Sequence, residues 1–164
     1  MCVKLHQKVK KMNLSRYIVP ENRIEAARLS LAMADWVCSL APWQVIAHLT
    51  FKWEASIWSA QRCYEGFMRS RVRGVSNFYA LEENPGRDGY HVHAIWVDCL
   101  NLVRSAVWGD WFNQYGRGRI EPVGDLTDVC DYVAKYVTKE RAWWGVNMIS
   151  GRHPAVANFK LSND

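Results

Sequence analysis

The size, composition and charge of the chain restrict the class of protein before any motif is considered. Its 164 residues suffice for one domain with a buried core, and a 49% hydrophobic content with nine tryptophans excludes a disordered chain. The formal net charge of +5 indicates a polyanionic partner, although charge alone does not identify one.

Cysteine usage and the first residues bear on the cellular compartment. The five cysteines are odd in number and scattered without a C-x-x-C pair: Cys2, Cys38, Cys63, Cys99 and Cys130. This argues against a zinc ribbon or a disulfide framework and indicates a reducing compartment. The opening MCVKLHQKVKK lacks the apolar core of a signal peptide, and no stretch is long enough to span a membrane. We therefore expect a cytoplasmic protein.

Residues 1–42 are predicted to form a basic N-terminal extension with one helix. The lysines of the first sixteen residues belong to either a solvated tail or a DNA-contacting arm. Residues 24–40 then show apolar side chains at helical spacing, namely Ile24, Ala27, Leu31, Ala34 and Cys38. Pro42 marks the boundary that follows.

Residues 43–145 are predicted to form the main domain, and residues 146–164 a C-terminal tail. The segment QVIAHLTFKW is typical of a buried strand, and residues 57–73 of a helix that stops at Gly74. VSNFYALEE and YHVHAIWVD are two strands joined by the turn residues NPGRDG. A helix over about 102–115, the strand RGRIEPV and a helix over 126–140 follow. This order predicts an α+β fold with a central antiparallel sheet and flanking helices.

The histidine pair His91 and His93 is a candidate metal site. Alternate residues of a strand point to one face, so both imidazoles project together, and imidazole is a common metal ligand. With residues 84–89 as the hairpin loop, Glu82 lies opposite His91 and Ala80 opposite His93, which adds a carboxylate to the same face. A register slip of one residue would present Glu83 instead. Two imidazoles and one carboxylate leave coordination positions open, as a catalytic ion requires.

A second candidate site lies in the predicted helix over residues 126–140. Its apolar stripe comprises Leu126, Val129, Cys130, Val133 and Val137. Tyr132 and Tyr136 are one turn apart on a single face beside that stripe. Lys135 and Lys139 follow them closely and could offset phosphate charge, so the helix combines nucleophilic hydroxyls with cations.

Together these motifs resemble the HUH endonucleases. The pair His91 and His93, followed about forty residues later by YVAKYVTK, is most similar to two-tyrosine rolling-circle replication initiators of phages and plasmids. The resemblance covers about Trp43 to Arg141, and VIAHLTFKW is similar to the first motif of the family. His48 stands within that strand where many members have Leu or Thr.

The resemblance implies an activity and a role for each residue. His91 and His93, with Glu82 as third ligand, would hold Mg²⁺ or Mn²⁺. Tyr132 and Tyr136 would be the nucleophiles that nick and rejoin single-stranded DNA at an origin through a 5′-phosphotyrosine. Lys135 or Lys139 would be the lysine of the tyrosine motif. We expect Tyr132 to make the first cut.

The resemblance also implies partners and a location. A separate helicase and polymerase would act with this chain in the cytoplasm of a host cell. Exposed tryptophans could stack bases, and arginines could follow the DNA backbone. The expected DNA-binding arginines are Arg69, Arg71, Arg73, Arg117, Arg119 and Arg141.

Two kinds of alternative remain open. A transposase or relaxase would belong to the same superfamily, but relaxases usually show a third histidine near the pair, and the sequence has none there. A non-catalytic RRM-like nucleic-acid-binding module would share the fold and the charge. It would not require a histidine pair facing a glutamate, nor paired tyrosines.

Overall fold

An antiparallel five-stranded sheet forms the centre of the fold. The computed structural model describes residues 23–99, 102–125, 129, 132, 135 and 143–149. The strands are β1 (Val45–Leu49), β2 (Ser76–Glu83), β3 (Tyr90–Val97), β4 (Gly118–Pro122) and β5 (Trp143–Asn147). Their order across the sheet is β4-β1-β3-β2-β5, and every neighbouring pair is antiparallel. The predicted α+β class is confirmed.

Helices cover both faces of this sheet. They are α1 (Arg23–Leu40), α2 (Ile57–Ser70) and α3 (Arg104–Gln114). Side chains of α2 and α3 share one apolar cluster with the sheet, and α1 packs into a second cluster on the other face, together with Val129. The predicted N-terminal helix is therefore part of the packed structure. None of the helices in the described segments has the length and apolar character needed to cross a bilayer.

The sequence of β3 explains its central position. Its eight residues are almost all buried, as expected of a strand that is covered on both faces and paired on both edges. Val92 and Ala94 face the cluster with α2 and α3, whereas Ile95 and Val97 face the cluster with α1. The two histidines of β3 therefore lie on the α1 side of the sheet.

The register of the β2–β3 hairpin agrees with the sequence prediction. Glu83 pairs with Tyr90, Glu82 with His91, and Ala80 with His93. The backbone amide of Asn84 donates to the carbonyl of Gly89 and closes the loop at its predicted ends. Glu82 thus shares the face of the histidine pair, and Glu83 does not.

The first predicted strand is shorter than expected. β1 ends at Leu49, and the amides of Thr50 and Lys52 donate instead to the carbonyls of Arg117 and Tyr115, which precede β4. The apolar sequence continues to Trp53, but the regular ladder does not, so composition overestimated the strand.

The buried face of α1 also differs from the prediction. Ile24 and Leu31 are 67% and 63% exposed, whereas Val37 and Leu40 are buried against the sheet. Of the predicted stripe, Ala34 is buried and Cys38 is partly buried. Only the C-terminal half of the helix packs into the α1-side cluster, so the periodicity of the first half does not report contact with the sheet.

Two features were not expected from the sequence. β5 pairs with β2 and was not predicted as a strand, because WWGVN is short and carries no clear alternation of apolar and polar residues. Cys38 is disulfide-bonded, while Cys63 and Cys99 have free thiols. The absence of a C-x-x-C pair therefore does not exclude a disulfide.

Two glycines of the β2–β3 loop offer a matched test of how tightly the loop is held. Gly89 has φ +94°, and an added Cβ would lie 2.8 Å from the backbone nitrogen of Ala55; Gly86 has φ +75° with open space around it. We expect Gly89→Ala to destabilise the fold by roughly 1–3 kcal/mol more than Gly86→Ala, since only Gly89 combines positive φ with a backbone clash. Urea unfolding of both variants measures the difference. Equal losses would mean that the clash is relieved at no cost.

Candidate metal centre

His91 and His93 place two imidazoles side by side in the interior. They are 4% and 2% exposed, and their Nε2 atoms are 2.8 Å apart. The pleat of β3 aligns them, since Val92 between them points into the opposite cluster. Two buried polar rings at this separation need either a shared proton or a shared ion between the nitrogens.

Glu82 brings a carboxylate to the same point. Its Oε2 lies 3.0 Å from Nε2 of His93 and 3.4 Å from Nε2 of His91. The carboxylate comes from β2, and the hairpin register delivers it to this face. The predicted neighbourhood of Glu82 and the two histidines is therefore present.

His48 joins the cluster from the neighbouring strand β1. It is the register partner of His93, and its ring stacks on that of His93 with centroids 4.5 Å apart. Ligand nitrogens of His48, His91 and His93 all lie within 4.8 Å of one another. The three histidines therefore form a cluster that can hold a metal ion.

His48 was not predicted as a ligand, since a third histidine was expected only close to the pair in sequence. The third histidine is distant in sequence and arrives through the β1–β3 pairing. Its departure from the usual Leu or Thr of that strand was the available signal. The relaxase alternative can therefore no longer be set aside on the ground that a third histidine is missing.

Two properties of His48 favour a metal ligand over a packed core residue. Its Nε2 is buried and has no hydrogen-bond partner within the described part of the chain. Burial lowers the pKa of His48 below its usual value, with Arg119 acting in the same direction and Glu82 opposing. A neutral imidazole with an unsatisfied nitrogen is the form that coordinates a metal.

The spacing of the donor atoms also fits one ion. Two donors at ~2.1 Å from a shared ion, at 90–110° to each other, lie roughly 3.0–3.4 Å apart. The distances among Nε2 of His91, Nε2 of His93 and Oε2 of Glu82 run from 2.8 to 3.4 Å. These three donors therefore lie near the separations that one ion requires, and a nitrogen of His48 lies within 4.8 Å of those of His91 and His93.

Tyr132 lies directly against this cluster. Its hydroxyl oxygen is 3.2 Å from Nδ1 of His93, and the two ring centroids are 5.6 Å apart. Tyr132 and Val129 are both helical, and Val129 is buried in the α1-side cluster. The predicted nucleophile and the predicted ligands thus belong to one site.

The other residues of the tyrosine segment divide between the described and undescribed parts of the chain. Lys135 is helical and exposed. Tyr136, Lys139 and Arg141 lie outside the described residues, so their roles stay predictions.

The predicted DNA-binding arginines occupy two regions. Arg119 on β4 is the register partner of His48, so it lies on the histidine face. Arg117 is exposed just before that strand. Arg69, Arg71 and Arg73 are exposed at the end of α2, the helix that packs on the opposite face. The first region adjoins the histidines, and the second does not.

Glu82 and Glu83 provide a matched pair for testing the metal centre. We expect Glu82→Gln to weaken Mn²⁺ binding roughly 10- to 100-fold, because it removes the carboxylate charge beside the histidines. Glu83 is exposed on the other face, where it accepts a hydrogen bond from Tyr90, so Glu83→Gln should leave the affinity unchanged. Isothermal titration calorimetry with Mn²⁺ measures both. A larger loss for Glu83→Gln would contradict the site.

Comparisons with known proteins identify no family for this chain. No protein-family model, no curated protein and no solved structure matches the chain. The resemblance to HUH endonucleases therefore depends on the histidine pair and the tyrosine segment alone.

Proposed function

We propose that this chain is an HUH-type endonuclease that nicks and rejoins single-stranded DNA during rolling-circle replication. The observation that carries the proposal is the position of Tyr132, whose hydroxyl contacts Nδ1 of His93. The other ring nitrogen of His93, Nε2, faces His91 and Glu82. The contact thus holds a candidate nucleophile beside a candidate metal ligand, which supports a metal-assisted transesterification.

The proposed reaction exchanges one phosphate ester for another. The oxygen of Tyr132 attacks the scissile phosphorus, an O–P bond to the tyrosine forms, and the P–O3′ bond breaks. The proton lost by the tyrosine is balanced by the one gained at the 3′ oxygen. The products are a 5′-phosphotyrosine and a 3′-hydroxyl that a polymerase can extend. A bound divalent ion would polarise the scissile phosphate.

His93 has a specific part in preparing the nucleophile. If Nε2 held the ion, the proton of the neutral imidazole would reside on Nδ1. Nδ1 would then donate to the oxygen of Tyr132 and would stabilise that oxygen more as its negative charge increases. The same contact fixes the ring of Tyr132, and positioning dominates the rate of such reactions.

The donor set bears on the choice between Mg²⁺ and Mn²⁺. Imidazole nitrogen suits transition metals, whereas Mg²⁺ demands oxygen ligands and retains its waters. Three histidines surround the candidate centre, and Glu82 adds one carboxylate. Of the two ions that the resemblance implies, Mn²⁺ is better suited to these ligands.

A second tyrosine distinguishes the initiator from its nearest alternative. Tyr136 follows Tyr132 by one helical turn in sequence, and two nucleophiles allow a second cut while the first strand is rejoined. A relaxase is the second candidate, because His48 supplies the third histidine associated with that class. In the proposed initiator both tyrosines act within one replication cycle.

Removal of a histidine separates catalysis from binding. We expect His93→Ala to reduce nicking at least ~100-fold, because it removes a metal ligand and the partner of Tyr132. Affinity for single-stranded DNA should stay within about threefold, since basic residues supply most of it. A gel nicking assay with Mn²⁺ and an anisotropy titration measure the two effects. Full nicking by His93→Ala in metal-depleted buffer would contradict the site.

The covalent adduct tests the nucleophile and excludes a mere binding module. We expect Tyr132→Phe to remove most of the adduct with a single-stranded oligonucleotide, Tyr136→Phe to keep it, and the double variant to form none. Phenylalanine preserves the ring packing and removes only the attacking oxygen. Mass spectrometry of wild-type peptides should place the nucleotide on Tyr132. An adduct on Tyr64 or Tyr79, which face the opposite cluster, would overturn the assignment.

A further inference from the structure

An exposed aromatic stripe lies on α3, outside the candidate metal centre. Arg104, Trp108 and Phe112 follow one another at four-residue spacing, so they share one face of the helix. Trp108 and Phe112 are 43% and 47% exposed. Their rings stack on each other with centroids 5.0 Å apart and planes 17° apart. Contiguous exposed apolar surface of this kind marks a candidate interaction site.

The stripe is held in place by the sheet. The indole nitrogen of Trp108 donates to the carbonyl of Gly118 in β4, at 2.8 Å. This bond fixes the ring plane before any ligand arrives, so little side-chain entropy is lost on binding. Between α3 and β4 lies a groove of about 380 Å³, which Trp108 lines together with Arg104 and Arg119.

The charge around the groove favours a polyanion. Arg104 and Arg119 lie along it, and both side chains are exposed. Glu121 also lines the groove and forms an ion pair with Arg119 at 2.8 Å. Arg104 is a lining cation that does not belong to this ion pair. Stacked rings flanked by arginines are typical of surfaces that bind single-stranded nucleic acid, because the rings stack bases and the cations contact phosphates. The cores of protein interfaces, by contrast, are depleted in charge.

The groove adjoins the candidate metal centre. Arg119 is the register partner of His48, so only one strand spacing of ~4.8 Å separates their backbones. Arg119 also lines the groove, which lies at the β4 edge of the sheet. α3 packs on the face opposite the histidines, so a DNA strand that reaches the histidines would pass around the β4 edge at Arg119 to meet the rings of α3.

We propose that the groove between α3 and β4 binds single-stranded DNA next to the scissile phosphate, with a base stacked on Trp108 and Phe112 and the backbone at Arg104 and Arg119. The choice of DNA rests on the proposed function, whereas the stacking and the charge do not. The groove thus holds the substrate in register with the nucleophile, at a position where stacking accepts any base.

The test measures DNA affinity without metal, so that no nicking occurs. A fluorescein-labelled oligothymidine of about 15 nucleotides is titrated by anisotropy in EDTA, at several salt concentrations. We expect Phe112→Ala to weaken binding roughly 5- to 150-fold, the range for loss of one base stack. Arg104→Gln should reduce the slope of log affinity against log salt by about 0.7. Phe112→Leu, which keeps the apolar volume, should lose most of the same affinity.

Trp58 is the matched control. It is 58% exposed, lies on α2 and contacts Trp143 of β5, at the far side of the sheet from β4. Trp58→Ala should leave the affinity unchanged, which separates a specific groove from general aromatic binding.

Several outcomes would overturn the groove. Unchanged DNA affinity in both Phe112→Ala and Phe112→Leu would contradict the proposed groove. A loss of DNA affinity in Trp58→Ala equal to that in Phe112→Ala would also contradict it. If wild-type protein sediments as a dimer that Phe112→Ala dissociates, a second copy covers the rings instead.

The proposed function fails separately. If the Phe112 and Arg104 variants bind DNA as tightly as the wild-type protein while the wild-type protein nicks DNA, only the proposed groove is wrong. If these variants lose DNA affinity but the wild-type protein forms no covalent adduct with any metal, only the proposed endonuclease activity is wrong.

Discussion

The antiparallel pairing of β2 with β3 determines what surrounds the histidines. Each residue of β2 is tied to one residue of β3, and a shift by one position would exchange every side chain between the two faces. In the observed register Glu82 meets the imidazoles and Leu81 enters the opposite apolar cluster. Moving Glu82 away would bury Leu81 beside polar rings and leave a carboxylate in the core. Because burying an unpaired carboxylate costs free energy, the same register stabilises both the apolar core and the position of Glu82 beside the histidines.

The second pairing of β3, with β1, turns a pair of histidines into a cluster. His48 stacks on His93 across the strands, while Ala47 and Leu49 on either side of it enter the core on the other face. One further strand brings Arg119 beside His48. Across the sheet the polar side chains thus run from a carboxylate through imidazoles to a guanidinium. The row thus has a positive charge at one end and candidate metal ligands beside it.

Local patterns predicted much of this fold and part of the site. Hairpin parity placed Glu82 opposite His91, because short loops and strict alternation fix the register within one segment. His48 was not predicted as a ligand, because the segment VIAHL carries no signal that it pairs with a strand more than forty residues away. The stripe through Ile24 and Leu31 misled for a related reason: periodicity identifies a helix but does not say where along its length the sheet lies. β5 depends wholly on its partner β2, so its own five residues carried no usable pattern.

The bond between Trp108 and Gly118 also affects how the molecule behaves at high concentration. β4 is at one end of the sheet within the described residues, and an open strand edge can pair with another chain. The indole occupies one carbonyl of that strand, and Pro122 at its end has no amide hydrogen to donate. With five residues and two blocked positions, β4 offers a poor template for a foreign strand. The same tryptophan that presents a ring to solvent thereby protects the edge of the sheet from aggregation.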